Sequence, residues 1–335
     1  MKLPPESSVN AVILAFSIFA VSCVSIPAPP PCSVTESDRA WIDRSLTAWR
    51  FATEEIAGIT SFPANQAILF SEDCVLRSDN ALSSRTAAGV TWTASPHTGS
   101  VPLPDGSEIP VAVTSYAAGD EGERFFVMAL PAIWEAAGIG TGGSPETALI
   151  PVLLHEASHI VQTGPYGPRL GALIERHSLP DSFNDNSVQE RFNTNEEFAA
   201  SVKKETELFL EAASAKDLNE AKRLAREARR LMLDRRDRWM TGDDAYHVEA
   251  EDIWLTLEGS GQWLAYKWMI DPRGGAQPEA ETLARYTRGR QWSQTEGFAL
   301  VMALDRIAGP GWKRHAFGDG VKTVLEMLDE ALGEE

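Results

Sequence analysis

Apolar positions recur near helical period from Glu36 to Ile56, where Trp41, Ile42, Leu46, Trp49 and Ile56 form one stripe, so the chain opens with an amphipathic helix. The texture then changes to short β-prone runs over Ala67–Val75, Gly89–Ala94, Ile109–Tyr116 and Arg124–Met128, with Pro104-Asp105-Gly106 as a turn between two of them. These runs predict a small, mostly antiparallel sheet. Next, Ser144-Pro145-Glu146 reads as N-cap, first-position proline and first-turn acid ahead of a helix packed by Leu149, Leu153, Ile160 and Val161, while Pro151 implies a late start or a kink. Residues 163–193 are rich in Gly, Pro, Asn and Asp and read as a long loop. Helices fill the rest. Thr194-Asn195-Glu196-Glu197 and Asp217-Leu218-Asn219-Glu220 are capping-box signatures opening the two arms of a long hairpin. Further helices are expected near His247–Met269, Glu279–Tyr286, Ser293–Ile307 and Val321–Leu332, one of them ended by Gly309-Pro310-Gly311. The expected fold is α+β: a β-rich part over 36–143 and a helical part over 144–335, in one domain without internal repeats.

The first residues read as a targeting segment. Lys2 precedes an apolar run from Ala11 to Val21, too short to span a bilayer, and Ala20-Val21-Ser22 is a small-x-small cleavage signal, so 1–22 is expected to be a signal peptide. Residues 23–35, with Pro27-Ala28-Pro29-Pro30-Pro31, form an extended tether. Cys23 directly after the cleavage site resembles the lipidated cysteine of bacterial lipoprotein signals, although Ala20 departs from the leucine usual there. The expected location is outside the cytoplasm, periplasmic or anchored to a membrane through Cys23, with plain secretion open. In such an oxidising compartment Cys32 and Cys74 can pair or remain separate thiols.

Composition narrows the partners. The 335 residues are 43% hydrophobic and 23% charged, ordinary for a globular chain, and the net charge of -18 argues against nucleic acid, which needs clustered cations. The basic run from Arg223 to Arg238 is interleaved with Leu224, Ala228, Leu231 and Met232 and reads as the solvated face of an amphipathic helix.

The chemistry concentrates in Leu153-Leu154-His155-Glu156-Ala157-Ser158-His159-Ile160-Val161. On a helix, residues four apart share a face, so His155 and His159 can offer two imidazole nitrogens to one zinc ion with Glu156 beside them as general base. Histidines planted in an apolar helix need polar partners, and a metal serves both. The last β-prone run, Phe125–Leu130, is expected nearest the metal, with a backbone edge for an extended substrate.

A catalytic zinc takes a third protein ligand and keeps one position open. Gln162 and Pro165 stand where the metzincin pattern requires glycine and histidine, so that class is excluded. A carboxylate from a later helix is expected, and Glu196, Glu197, Glu258 and Glu296 compete. Glu197 and Glu296 lie three residues after Thr194 and Ser293, where they would cap their own helices, and Glu196 suits the dipole of a first turn. Glu258, mid-helix between Leu257 and Gly259, lacks such an explanation and is favoured, against an ordinary ion pair on a half-exposed face. Gly259 and Gly261 thin its helix for close approach. Tyr246, His247, Tyr266 and Tyr286 are the candidate oxyanion donors, with no choice among them.

The pattern resembles the gluzincins, zinc metallopeptidases with His-Glu-x-x-His on one helix and a ligand Glu on a later one. The pair Glu258-Gly259 is similar to the Glu-Gly that often carries that ligand, and it recurs at Glu296-Gly297. The chain also resembles bacterial secreted or lipoprotein-type metallopeptidases of largely unassigned function, through Leu103-Pro104-Asp105-Gly106, the motif helix, the charged hairpin, Glu258-Gly259, Leu304-Asp305-Arg306 and Gly311-Trp312-Lys313. The resemblance implies a zincin-like domain over 36–335 with zinc on His155, His159 and Glu258, acting on peptides or proteins. The alternatives are an amidase on cell-wall peptides, or a non-catalytic envelope protein that keeps a structural zinc, or an empty scaffold, and binds a partner through its helical hairpin.

Overall fold

The computed structural model describes residues 32–334, apart from 60, 85, 87–88, 120–121, 140–144, 181 and 319. The proposed signal peptide, Cys23 and most of the tether lie outside the described residues, as does the proposed N-cap Ser144.

Helix α1 (Glu36–Phe51) starts where Thr35 accepts a hydrogen bond from the Asp38 backbone N–H at 3.0 Å, and it buries Trp41, Ile42, Leu46 and Trp49 as the apolar stripe requires. Cys32, just ahead of it, is disulfide-bonded to Cys74, with Cα atoms 5.3 Å apart.

The apolar run Ala67–Val75 folds as two strands, because Ser71-Glu72-Asp73 turns the chain back between β1 (Gln66–Phe70) and β2 (Cys74–Ser78). Strand β3 (Thr93–Pro96) adds to β2. Pro104-Asp105-Gly106 makes the expected turn, joining β4 (Ser100–Pro102) to β5 (Glu108–Pro110) in a separate two-stranded ribbon. With β6 (Ser115–Ala118) and β7 (Phe125–Ala129), the main sheet has the order β3-β2-β1-β7-β6, antiparallel except for the β1–β7 pair. The edge expected at Phe125–Leu130 is thereby corrected. Strand β7 is buried at all five positions and paired on both sides, as a continuous apolar run demands, and the outer strand against the motif helix is β6.

After the short α2 (Pro131–Ala136), helix α3 runs from Pro145 to His177 and passes through Pro151 without a late start. The long loop expected from Thr163 is also corrected, since α3 continues through Pro165 and Pro168. An interior proline costs a helix about 3 kcal/mol. Here Tyr166 and Leu173 are buried against Ala250, Ile253 and Leu257, and each such side chain recovers about 1.5–3 kcal/mol. Among the described residues, 178–180 and 182–186 remain as connection before α4 (Ser187–Phe192).

The charged hairpin is α5 (Glu196–Ser214) packed on α6 (Leu218–Trp239). Its caps differ from the signatures: Asn195, not Thr194, accepts from Phe198 N–H, and Asp217 precedes α6 without a side-chain cap. Arg223, Arg226 and Arg230 lie on the outer face as expected, but Arg235 and Arg236 turn inward and are buried against Glu205, Glu251, Glu296 and Asp252.

Helices α7 (Tyr246–Ile270), α8 (Glu279–Tyr286) and α9 (Trp292–Ala308) follow, then α10 (Lys313–Ala316) and α11 (Val324–Leu332). The structure is α+β, with a small, mostly antiparallel sheet and a largely helical C-terminal part. Helices α7 and α9 touch backbone to backbone: a Cβ on Gly259 would fall 2.3 Å from the Gly297 carbonyl oxygen, and one on Gly297 would fall 2.7 Å from that of Leu255. The glycines of the two Glu-Gly pairs therefore fix one helix crossing.

Candidate metal centre

Helix α3 carries His155 and His159 on one face, and α7 crosses so that Glu258 meets both. Glu258 Oε2 lies 3.1 Å from His155 Nε2, and Glu258 Oε1 lies 3.4 Å from His159 Nε2. The two Nε2 atoms are 3.3 Å apart, and one ligand atom from each residue fits within 4.8 Å of the others. Two imidazole nitrogens and a carboxylate converging in a buried site are a donor set that can hold a metal ion, and zinc is among those they suit.

The helices also set the ring orientations. His159 Nδ1 lies 2.7 Å from Gln162 Oε1, which acts only as an acceptor, so Nδ1 carries the proton and Nε2 keeps its lone pair for a metal. Gln162 is fixed in turn by donating to Ser260 Oγ at 2.5 Å, and Ser260 donates to the Thr256 carbonyl. On the other ring, a Cβ at Gly261 would lie 2.8 Å from His155 Nδ1, so this glycine makes room for the imidazole. Gln294 on α9 donates to Glu258 Oε2 at 3.1 Å and accepts from Gln262.

Electrostatics follow from burial and proximity. Burial would keep His155 neutral, but the Glu258 carboxylate outweighs it and raises His155 to about 9. Glu258, penalised by burial but held by His155 and His159, is lowered to about 2. His159 is shifted down, chiefly by burial. With protein groups alone, one proton therefore sits on His155, and a bound cation would take its place. Burial, together with the charges of Glu258 and Asp185, outweighs the nearby His155 and pushes Glu156 up to about 7.

Glu156, His159 and Glu258 open onto a cleft of about 530 Å³. Its walls include Ser115, Tyr116 and Ala117 of the edge strand β6, and Asn184 and Asp185 of the connection after α3. Burial and the nearby Glu258 raise Asp185 to about 6. A second cavity, of about 310 Å³, flanks His155 and Glu156 on the side of Arg285, Tyr286 and Gln294.

The rival carboxylates lie elsewhere. Glu196 is exposed and Glu197 pairs with Arg238 on the surface. Glu296 does not cap its helix, which begins at Trp292; it lies 3.5 Å from Arg235 in the buried ionic cluster. Of the oxyanion candidates, Tyr246 and His247 stack on each other away from the cleft, and Tyr266 lies within hydrogen-bond distance of Glu279. Tyr286 lines the flanking cavity beside Glu156. Tyr116, Asp185, Gln162 and Gln294 escape a reading of the sequence, because only tertiary packing brings them here. Gln162 alone left a trace, at i+3 from His159 on the same helical face.

No family model, no characterised protein and no solved structure matches this chain.

Proposed function

We propose that this protein is a zinc-dependent metallopeptidase with a zincin-like site that works outside the cytoplasm. The observation that carries the reading is the meeting of Glu258 with the Nε2 atoms of both His155 and His159, with Glu156 beside them on the same cleft of about 530 Å³. A zinc ion on these three residues would polarise a carbonyl and lower the pKa of water from about 15.7 toward about 7. Glu156, poised near neutrality, accepts a proton from the attacking water and returns it to the leaving amine. His155, His159 and Glu258 hold their positions through Gln162, Gly261 and Gln294. The outer edge of β6 suits an extended peptide, whose backbone can pair with a strand that among the described residues has no neighbour on that side.

A pure structural metal site has no use for a carboxylate tuned by burial at its mouth, which favours catalysis over a binding scaffold. The disulfide between Cys32 and Cys74 agrees with export, because such bonds persist in oxidising compartments. Among the described residues no helix is long and apolar enough to cross a membrane. The test is metal content of the purified chain together with cleavage of a peptide library. One equivalent of zinc and chelator-sensitive cleavage are expected; zinc without cleavage of any peptide would overturn the enzymatic reading.

A further inference from the structure

A third cavity, of about 1160 Å³, lies against α3 where Val161, Gly164 and Pro165 form its wall. Arg124, Lys313, Arg314 and His315 also line it. Arg124 is 9% exposed, its Nε has no hydrogen-bond partner, and its guanidinium packs on Gly164, where a Cβ would come within 3.1 Å of it. A buried guanidinium without a carboxylate is costly, and elsewhere this chain avoids that cost: buried Arg235 and Arg236 are both ion-paired.

Among the described residues none of the four basic groups at this cavity forms an ion pair. Lys313 donates to the Ile56 carbonyl at 2.7 Å with the Trp263 ring 5.0 Å away, and His315 Nδ1 is buried without a hydrogen-bond partner. Among the described residues the acid in the lining is Glu55, which faces Arg273 at 3.6 Å. In a chain of net charge -18, a cavity lined by Arg124, Lys313 and Arg314 without an ion pair among the described residues suits an anion.

We propose that this cavity binds a phosphate-class anion, gripped by the fork of Arg124 and closed by Lys313, Arg314 and His315. A phosphate group, with several acceptor oxygens around one centre, answers this lining better than a monocarboxylate, and arginine matches phosphate with paired donors. The phosphate belongs either to a small soluble ester or to the headgroup of an anionic lipid. The site is independent of the metal centre, which occupies the other face of α3.

The experiment uses the full chain, with inorganic phosphate followed by equilibrium dialysis and vesicles of phosphatidylglycerol or phosphatidylcholine followed by flotation. We expect one phosphate per chain, with affinity falling at least tenfold in Arg124→Gln and in Arg314→Ala; the latter alters an exposed side chain and leaves folding intact. His155→Ala should bind phosphate like the parent. Flotation with phosphatidylglycerol vesicles alone, lost in both basic-site variants, assigns the anion to a lipid headgroup; phosphate binding without flotation assigns it to a soluble ester. Neither probe binding, or binding that survives both basic-site substitutions, overturns the proposal. Loss of phosphate binding in His155→Ala would place the anion at the metal centre and also overturn it.

Discussion

Gln162 holds His159: its side-chain carbonyl takes the Nδ1 proton at 2.7 Å, and its amide is pinned to Ser260 on the helix that supplies Glu258. The tautomer of one ligand and the position of the other helix are thereby coupled through one side chain. Gln162→Ala should weaken zinc about 10–100-fold, the usual effect of removing such a partner, while leaving the fold intact. Competition against a chromogenic chelator measures it, and unchanged affinity would show that the hydrogen bond does not orient the ring.

Glu156→Gln should keep stoichiometric zinc and lose hydrolysis by about 10²–10⁴-fold, because the proton acceptor is removed and no ligand is touched. Metal analysis and turnover on one preparation decide it; full activity would assign the base to another group.

Glu258→Ala should lose zinc on dialysis against a weak chelator, whereas Glu196→Ala and Glu197→Ala should keep it. Arg235→Ala should keep the metal site chemistry but cost roughly 3–5 kcal/mol of stability, because it strands Glu205 and Glu296 in the interior and leaves Glu251 with Arg236 alone. Urea unfolding of each variant separates the two effects. Zinc retained by Glu258→Ala would end the ligand assignment.

Zinc loading should release about one proton at neutral pH. The sign follows from His155: its pKa, raised to about 9 by Glu258, leaves the ring protonated at pH 7, and a ligand must be neutral. Apparent affinity should therefore climb as pH rises toward about 9 and then level off from this source. Calorimetric titrations in buffers of different ionisation enthalpy count the proton, and a count of zero removes the predicted ion pair.

Gly297→Ala should disturb zinc binding although Gly297 touches no metal ligand. Its methyl would meet the Leu255 carbonyl at 2.7 Å and push α9 off α7, costing about 1–3 kcal/mol and moving Gln294 away from Glu258. A thermal melt together with a zinc titration tests both halves. A variant with parental stability and affinity would mean that the crossing has slack.

By itself the sequence determined that His155 and His159 share one face of α3, because helical periodicity places them together whatever else the chain does. It also determined the α+β order, α1, the β4–β5 turn and α7 to α9, all written in local spacing and turn residues. It indicated Glu258 over its rivals, though partly for reasons that failed: Glu197 and Glu296 were set aside as helix caps, but one is a surface partner of Arg238 and the other belongs to the Arg235 cluster. Tertiary structure alone decided that Pro165 and Pro168 stay helical, since the burial of Tyr166 and Leu173 against α7 offsets much of a local propensity. It alone made β6 rather than β7 the edge, because strand order is a long-range pairing that no local window contains. It alone brought Glu258 across 103 residues to His155, where the crossing of Gly259 and Gly297 sets the distance between their helices.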